Sequence, residues 1–481
     1  MQKRQPIKIN FWLILIYFLL VITGLMTLYS ANSAEHYTSI LQSRFFKQVL
    51  WVIISIISSI IVIFVVKPFD LFNIIPAFFI ATVLLALGVA VAGVAIHGSR
   101  SWIHLGPFSF QPAEILKLAT ALFFARIIAK NKDNLYSLKT LFLSFMPVFI
   151  ALITVILQGD MGTALVFLSF IIPAYRFGLL NGYVVLYSIL YGIVFFLSLK
   201  YPSSLIIQLI IYLIYMLSLV SIEKKFRKKI IIIFLSTIVG VHFINVIINR
   251  LFPIQYTMII SAIIGTIIFL VMIFTKTREL IKYLLVFSLT VGLFGIYILS
   301  PIMYSKLKPH QRERIEYFIN PKSLSNVSSA EQGVGYNIVQ AKLSISAGGF
   351  TGRGYLKGTH NKLKYVPAQD TDYIFCTVAE EFGFLGNLFV FLLFFALFYV
   401  IVDISEQQQS LFSKVYGYSV MGIFFFHFAI NIGSTLSLLP VIGIPLPFFS
   451  YGGSATFNFS LMLAILLLLD NYRNLNIEEV Y

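Results

Sequence analysis

The sequence predicts an all-α polytopic membrane protein of about 14 transmembrane helices with one large extracytoplasmic loop. Hydrophobic residues make up 59% of the chain and charged residues only 11%, and the mean hydropathy is +0.91. A soluble domain usually has about a quarter of its residues charged. Apolar runs such as 53–66 and 388–402 lie in windows that reach the roughly 20 residues needed to cross the hydrocarbon as a helix. Spanning helices, rather than barrel strands, are therefore expected.

The apolar windows can be followed in order along the chain, and about 14 of them are long enough to span a bilayer. They lie near residues 10–30, 46–66, 72–95, 111–130, 138–157, 161–178, 182–199, 204–222, 230–249, 255–275, 280–300, 384–402, 415–438 and 454–470. Lys and Arg in short loops stay cytoplasmic, and with the N-terminus inside, the inner loops hold about 19 of them against about five in the short outer loops. An even number of spans places both termini in the cytoplasm and the loop 301–383 outside.

Charge and cysteine content exclude several classes of function. The formal net charge of +16 is explained mostly by the topology signal and by affinity for anionic lipid headgroups. Nucleic-acid binding is not expected, because the basic residues are divided between two sides of a membrane. The one cysteine, Cys376, excludes an intrachain disulfide and a cysteine-based metal site. The first span, near 10–30, has no small-residue cleavage site after it and is interpreted as a retained signal anchor.

The fourth span begins at Pro112 and carries two charged residues near its start, Glu114 and Lys117. Residues three apart face the same side of a helix. Each charge costs about 2.5–3.5 kcal/mol at the centre of a bilayer, so we expect both near the outer interface, paired or lining a wet cavity. A structural ion pair between helices and a role in a binding site both remain open.

Two further outer segments carry signals. Asp160 lies between Gly159 and Gly162, where it is either the N-cap of the following helix or a site residue. Near the C-terminus, Pro440, Pro445 and Pro447 precede the last span. Such a segment predicts an ordered or re-entrant extracytoplasmic loop, which is tolerated at membrane depth only where it is buried in protein or faces water.

Five segments resemble the signature segments of a known family, and they occur in the family's order on the predicted outer face. The segments are WIHLGPFSFQPAEILK, LQGDMGTALVF, GYNIVQAKLSISAGGFTGRGYLKGTHNKLKYVP, TDYIFCTVAEEFGFLG and PVIGIPLPFFSYGGS. They are similar to those of the shape, elongation, division and sporulation (SEDS, or FtsW/RodA/SpoVE) family of peptidoglycan glycosyltransferases. GTHNKLKYVP resembles the elongation branch more than the division branch.

The resemblance implies a ten-helix core formed by 10–178 and 280–470, with the loop 301–383 inside the second part. The stretch 182–275 would then be about four inserted helices. It contains no motif that we can connect with chemistry, so a lipid-facing or partner-facing addition is expected there.

The resemblance also implies an activity: polymerisation of lipid II into glycan strands at the outer face of the bacterial cytoplasmic membrane, for cell wall synthesis, cell shape and cell division. The implied partner is a class B penicillin-binding protein, a transpeptidase. A carboxylate must accept the proton of the attacking sugar hydroxyl, and cationic groups or a divalent cation, magnesium or manganese, must stabilise the departing pyrophosphate. The alternatives are a lipid II flippase and a non-catalytic scaffold of the wall-synthesis complex.

The family's catalytic position predicts Glu331 as the general base. Relatives carry an Asp just upstream of the Gly-Tyr pair matched by Gly335 and Tyr336, whereas Glu331 is the acid that this sequence offers in that segment. The other predicted site residues are Glu114, Lys117, Asp160, Lys342, Arg353 and Asp372, with Lys342 and Arg353 near the pyrophosphate. Asp372 and the pair Glu380–Glu381 match the family pattern, while a metal site cannot be assigned to particular residues.

Overall fold

The protein is described by a computed structural model. It describes residues 10–33, 43–96, 99–106, 108–135, 137–201, 204–222, 227–247, 260–268, 280–307, 309–320, 334–363, 365 and 369–479.

Helices form nearly all of the regular structure in the described part of the chain. They are α1 (Phe11–Asn32), α2 (Arg44–Val65), α3 (Pro68–Ala92), α4 (Pro112–Lys130), α5 (Leu138–Leu157), α6 (Met161–Val166), α7 (Ile171–Arg176), α8 (Gly182–Lys200), α9 (Leu205–Ile222), α10 (Arg227–Ile247), α11 (Leu280–Ser305), α12 (Pro309–Ile319), α13 (Val334–Gly348), α14 (Thr359–Lys362), α15 (Ile374–Glu406), α16 (Leu411–Thr435) and α17 (Gly453–Asn471). A helical stretch also covers 260–268. Short 3-10 turns lie at Lys132–Asn134, Phe167–Phe170 and Ile477–Glu479.

The chain is an all-α polytopic membrane protein, as the sequence predicted. Among the described residues, nine helices are long and apolar enough to cross a membrane, and Met161–Arg176 and Ile206–Ile222 are shorter apolar helical stretches. The count of about 14 spans stays a prediction, because the window 255–275 is described only at 260–268.

Helix starts follow local signals in the sequence. The helix α4 begins at Pro112, as expected for a residue with a fixed φ and no N–H to leave unpaired. The helix α5 begins after the N-cap Ser137, whose hydroxyl accepts a hydrogen bond from the Thr140 amide at 3.0 Å. Both starts agree with the predicted windows.

The segment between α3 and α4 forms a small antiparallel sheet, which the apolar windows did not predict. Its strands are β1 (Val94–Ile96), β2 (Ser99–Leu105) and β3 (Phe108–Phe110), in the order β1-β2-β3. Strand β2 pairs with both of its neighbours: its Trp102 lies opposite Val94 of β1, and its Ile103 lies opposite Phe110 of β3. The Arg100 amide donates to the Gln158 carbonyl at 2.8 Å, which attaches the sheet to the end of α5.

The chain divides into two compact units, Met1–Leu179 with Lys322–Tyr481, and Leu180–Pro321. In the second unit, α8 packs against α11, and α11 also packs against α9. The predicted division into core and insertion stays a prediction; in this structure α11, which we assigned to the core, packs with the helices of 182–275. Buried tyrosines of this unit have paired hydroxyls: Tyr187 contacts Thr290 at 3.0 Å, and Tyr212 donates to the Phe234 carbonyl at 2.8 Å.

In the first unit, α16 and α17 are the most deeply buried spans, whereas α2 has few buried residues. The last residues of α1 and the first residues of α17 lie at the same end of this bundle, because both contact residues of the 369–381 segment or its neighbours. Residues near 10 and 471 are therefore both at the opposite end of this bundle, and the location of the termini in the cytoplasm stays a prediction.

Candidate active site at one end of the bundle

The segments that carry the family resemblance meet at one end of the first unit, through contacts of Gln111 with Asp160, of Ser450 with Thr371 and of Arg353 with Glu380. The Ser30 hydroxyl of α1 donates to Glu381 of α15, and Gln369 donates to the Ala31 carbonyl at 2.8 Å. Arg44, at the start of α2, forms an ion pair with Asp370. This end of the bundle is the candidate active site.

Glu114 and Lys117 form a fully buried ion pair one turn inside α4. The Lys117 ammonium lies 2.9 Å from each oxygen of the Glu114 carboxylate, and the two side chains are 2% exposed or less. The predicted pair therefore exists. Its burial makes it part of the protein interior, where an unpaired charge would be costly.

The ammonium of Lys117 also contacts His427 of α16, at 2.8 Å from Nε2. The other ring nitrogen, Nδ1, lies 2.9 Å from the Pro445 carbonyl oxygen. A carbonyl can only accept and an ammonium can only donate, so Nδ1 carries the hydrogen and Nε2 accepts, which is the neutral imidazole. The ring of Phe459 packs edge-to-face on His427 at 4.8 Å and lies 5.6 Å from the Lys117 ammonium. The result is one polar chain from Glu114 to the Pro-rich segment.

Sequence reasoning missed His427. It lies in an apolar span, and an ionisable residue at such a position is by itself a signal of function in a membrane protein. Asn431 follows it by four residues and so lies on the same face of α16. Its amide donates to the Ile444 carbonyl at 2.8 Å and to the Asp372 carbonyl at 3.1 Å.

The Pro-rich loop (residues 436–452) is largely buried from Pro440 to Ser450, as the sequence predicted for this segment, while Leu436, Leu438 and Leu439 are exposed. Besides the contacts from α16, the Ser450 hydroxyl donates to the Thr371 carbonyl at 2.6 Å and accepts from the Leu446 amide at 2.9 Å. The loop also approaches α1 closely, since a Cβ on Gly24 would lie 2.1 Å from the Phe448 carbonyl oxygen. The loop thus connects α16, α1 and the segment before α15.

Asp160 is the N-cap of α6, which was one of the two roles left open by the sequence. Its carboxylate accepts from the Thr163 amide at 3.0 Å and from the Thr163 hydroxyl at 2.9 Å. The Gln111 amide donates to it at 2.6 Å and so ties the start of α4 to α6. A role of Asp160 in substrate binding stays a prediction.

Glu380 organises the glycine-rich loop (residues 349–358) and the short helix α14. One oxygen of this fully buried carboxylate accepts from the Thr359 amide at 2.7 Å and from the His360 amide at 3.0 Å. The exposed Arg353 lies 3.8 Å from the same oxygen and also bonds the Thr359 hydroxyl. Glu380 therefore fixes the position of Arg353, which the sequence predicted near the pyrophosphate.

The glycines of this loop serve close contact between two backbone segments. The amides of Arg353 and Gly354 donate to the carbonyls of Glu380 and Glu381 at 3.0 and 2.9 Å. A Cβ on Gly352 would lie 2.1 Å from the Glu381 carbonyl oxygen. This close contact accounts for Gly352 without any approach of the backbone to a ligand.

Asp370 and Tyr451 form a second polar contact at this end, below the half-exposed Arg44. The Arg44 guanidinium lies 5.8 Å from the centre of the Tyr451 ring, and the Tyr451 amide donates to the Asp370 carbonyl at 2.7 Å. Burial raises the pKa of the Tyr451 phenol above its ordinary value, so this hydroxyl is neutral at physiological pH.

The predicted site residues are placed as follows. Lys117, paired with Glu114, contacts His427 of α16, and Asn431 of the same helix donates to the backbone carbonyl of the half-buried Asp372. Arg353 lies next to Glu380 of α15. Lys342 is exposed on α13. Glu331 lies outside the described residues. Within the described ranges, no group of three or more His, Cys, Asp or Glu side chains could hold a metal ion.

The chain matches the profile of the FtsW/RodA/SpoVE family, described as a cell cycle protein, over residues 10–238 and 259–475. The match includes most of 182–275, so it does not set the predicted insertion apart from the rest of the chain. Peptidoglycan glycosyltransferase RodA of Treponema pallidum (strain Nichols) is 25% identical over 472 residues, which are 95% of this chain and 96% of that protein. Peptidoglycan glycosyltransferase MrdB of Escherichia coli (strain K12) is 38% identical over 146 residues, 30% of this chain and 38% of that protein.

Two solved structures share the fold. One comes from a study of structural coordination of polymerization and crosslinking by a peptidoglycan synthase complex; its matched chain has a TM-score of 0.62 and 20% identity, over 97% of this chain and 99% of that chain. The other is rod shape determining protein RodA of Thermus thermophilus, with a TM-score of 0.51 and 18% identity, over 97% of this chain and 98% of that chain. At these identities the likeness concerns the fold alone.

Proposed function

The chain belongs to the FtsW/RodA/SpoVE family, and from this premise we propose that it is a peptidoglycan glycosyltransferase that polymerises lipid II during cell elongation. The observation that carries the proposal is the meeting of the five signature segments at one end of a membrane-spanning bundle. The name of the Treponema pallidum relative, which aligns with 95% of this chain, supports the same activity.

The reaction needs a base and a stabilised leaving group. A sugar hydroxyl of the acceptor attacks the anomeric carbon of the donor; the new glycosidic bond forms as the bond to the lipid pyrophosphate breaks, and the hydroxyl proton passes to a carboxylate. We propose Glu331 as that carboxylate, by its match to the family's position. Arg353, held by Glu380 at the site, and Lys342, exposed on α13, are proposed to face the negative charge of the departing pyrophosphate.

A divalent cation, magnesium or manganese, is a further part of the proposal. The carboxylates of Asp160 and Glu380 are each occupied by at least two protein donors. Their occupation does not exclude the cation, because a magnesium ion needs only one or two carboxylates when substrate phosphates supply the other ligands. Chelation by EDTA should abolish polymerisation and added magnesium should restore it; full activity in EDTA would remove the cation from the proposal.

The distribution of ionisable residues favours the enzyme over the flippase. A transport path needs polar or charged groups along the depth of the membrane. In the described helices of the first unit, the buried charges of α4 at the site end are paired with each other, while Arg126 and Lys130 lie near its other end. The groups proposed to act on lipid II belong to one end only.

The proposed location is the bacterial cytoplasmic membrane, with the site on its outer face and both termini in the cytoplasm. This orientation follows from the distribution of Lys and Arg among the short loops.

A class B penicillin-binding protein is the proposed partner, and 384–438, which includes most of α15 and α16, is the proposed contact. An exposed apolar row runs along α15 through Phe384, Leu388, Leu392, Phe395 and Tyr399. Leu392→Trp should reduce co-purification with the partner, whereas Ile57→Trp, at an exposed position of α2, should not. Equal co-purification of both variants would exclude this face of α15.

The deciding experiment is polymerisation of lipid II by the purified protein in detergent. The native protein should form glycan strands, and Glu331→Gln should slow the reaction by about 10²–10⁴ while still binding lipid II. Glu331→Asp should retain more activity than Glu331→Gln. A flippase or a scaffold would form no strands in detergent, and a Glu331→Gln variant with the native rate would place the base elsewhere, with Asp372 next to be tested.

A further inference from the structure

His427 has polar contacts with both the buried ion pair and the Pro-rich loop. Its Nε2 faces the Lys117 ammonium at 2.8 Å and its Nδ1 faces the Pro445 carbonyl at 2.9 Å. The side chain is 1% exposed, so water cannot replace either contact at low cost.

The ammonium fixes which ring nitrogen carries the hydrogen. An ammonium has donors only, so it requires a lone pair on Nε2, and in the neutral ring the hydrogen is then on Nδ1. That hydrogen points to the Pro445 carbonyl, an acceptor. A doubly protonated ring would place a second buried cation 2.8 Å from Lys117, which burial opposes. The ion pair thus determines that His427 donates to the loop.

We propose that His427 is a positioning residue. It holds the Pro-rich loop in place by the hydrogen bond from Nδ1 to the Pro445 carbonyl, and the Lys117–Glu114 pair fixes the tautomer that makes this bond. The proposal rests on the proposed function only for its effect on polymerisation; its effect on the loop is independent of that function. Three observations support it: both contacts are short, the loop is buried on both sides of Pro445, and Asn431 on the next turn of α16 holds the neighbouring Ile444 carbonyl in the same way.

Two substitutions separate the two contacts. In His427→Asn, the amide nitrogen can replace Nδ1, because both are two bonds from Cβ, and the contact with Pro445 is kept. In His427→Gln, the amide oxygen can replace Nε2, and the contact with Lys117 is kept. His427→Phe keeps the size of the ring and loses both contacts. Tyr416→Phe is the matched control, since it removes a buried 3.0 Å hydrogen bond from Tyr416 on the same helix to the Met462 carbonyl.

The readout is the exposure of the loop. Val441, in the loop, is 5% exposed, and Val441→Cys in a Cys376→Ser background gives a single thiol. We expect its modification by a membrane-impermeant maleimide to be slow in the parent, in Tyr416→Phe and in His427→Asn. It should be about tenfold faster in His427→Gln and His427→Phe, which lose the hydrogen bond to the loop.

Turnover of lipid II is measured on the same variants without the cysteine. Turnover should fall in His427→Gln and His427→Phe, whose loop is exposed, and should be largely retained in His427→Asn. In the two slower variants, KM should change less than turnover does. Equal labelling of all variants, or the same loss of turnover in Tyr416→Phe as in His427→Gln, would overturn the proposal. Absence of polymerisation by the native protein would instead refute the proposed function, and the labelling series would still decide the role of His427.

Discussion

At the scale of single residues, Glu114 and Lys117 can be buried because the attraction between the two charges offsets the free energy of removing them from water. Each charge alone would be expensive in the interior of the bundle, and the pair recovers that expense only because the two groups lie 2.9 Å apart. His427 accepts a further hydrogen bond from the ammonium. Removal of one partner should therefore cost more than removal of both.

Lys117→Met should destabilise the protein by about 3–5 kcal/mol, because it leaves the Glu114 carboxylate buried without a counter-ion. The double variant Glu114→Gln/Lys117→Met should recover most of that loss. Thermal unfolding in detergent measures both. If the single and the double variant unfold at the same temperature, the pair does not have the electrostatic coupling that its geometry implies.

Glu380→Gln should loosen the glycine-rich loop, since the hydrogen bonds from Thr359 and His360 to a charged acceptor are worth about 1.5–3 kcal/mol each. Limited trypsin cleavage after Arg353 should become several-fold faster. Glu406→Gln is the control, because Glu406 is also bonded to an arginine, Arg176 at 2.6 Å, but lies at the other end of α15. Faster cleavage after Arg353 in both variants would indicate a general loss of stability.

At the scale of elements, the sequence predicted what local chemistry determines. Pro112 marks the start of α4, and the window 138–157 matches α5 in length. The sheet of β1–β3 was missed because strands of three to seven residues are too short to show a period of two against an apolar background. The contact of His427 with Lys117 was missed because it depends on how α16 meets α4.

The break in α15 also depends on tertiary structure. Gly383 has φ 62° and ψ −154° inside an otherwise helical stretch, and the Phe384 amide donates instead to the Gly349 carbonyl at 3.0 Å. A glycine in a run of aromatic residues predicted no such break. The backbone leaves the helix here because the glycine-rich loop packs against it.

Gly352→Ala should therefore disrupt the site end of the protein. Gly352 has φ +80°, and its added Cβ would lie 2.1 Å from the Glu381 carbonyl oxygen, which cannot move without disturbing α15. We expect a loss of at least about 2 kcal/mol of stability, together with loss of polymerisation. Gly88→Ala is the control, because nothing lies within 4 Å of its added Cβ and alanine favours the helix by about 0.5–1 kcal/mol. Similar unfolding temperatures for the two variants would contradict the described packing of the loop.

At the scale of the whole molecule, the two ends of the first unit differ in chemistry. The site end carries the signature segments and the ion pairs Glu114–Lys117 and Arg44–Asp370. The other end carries the basic residues Lys130, Arg176 and Arg473, of which Arg176 pairs with Glu406 and Arg473 with Asp470. Orientation in the membrane then decides which pool of substrate the site can reach.

A pair of single cysteines tests this orientation in intact cells, in a Cys376→Ser background. Thr351→Cys lies on the exposed glycine-rich loop at the site end, and Asn134→Cys lies on the exposed turn between α4 and α5 at the other end. A membrane-impermeant maleimide should modify the cysteine at 351 in intact cells and the cysteine at 134 only after the membrane is permeabilised, because Lys and Arg in short loops retain those loops in the cytoplasm. The same comparison applies to cysteines at 326 and 226, which lie outside the described residues. Modification of 134 but not 351 in intact cells would place the site in the cytoplasm, where it could not act on lipid II at the outer face, and the proposed function would fail with it.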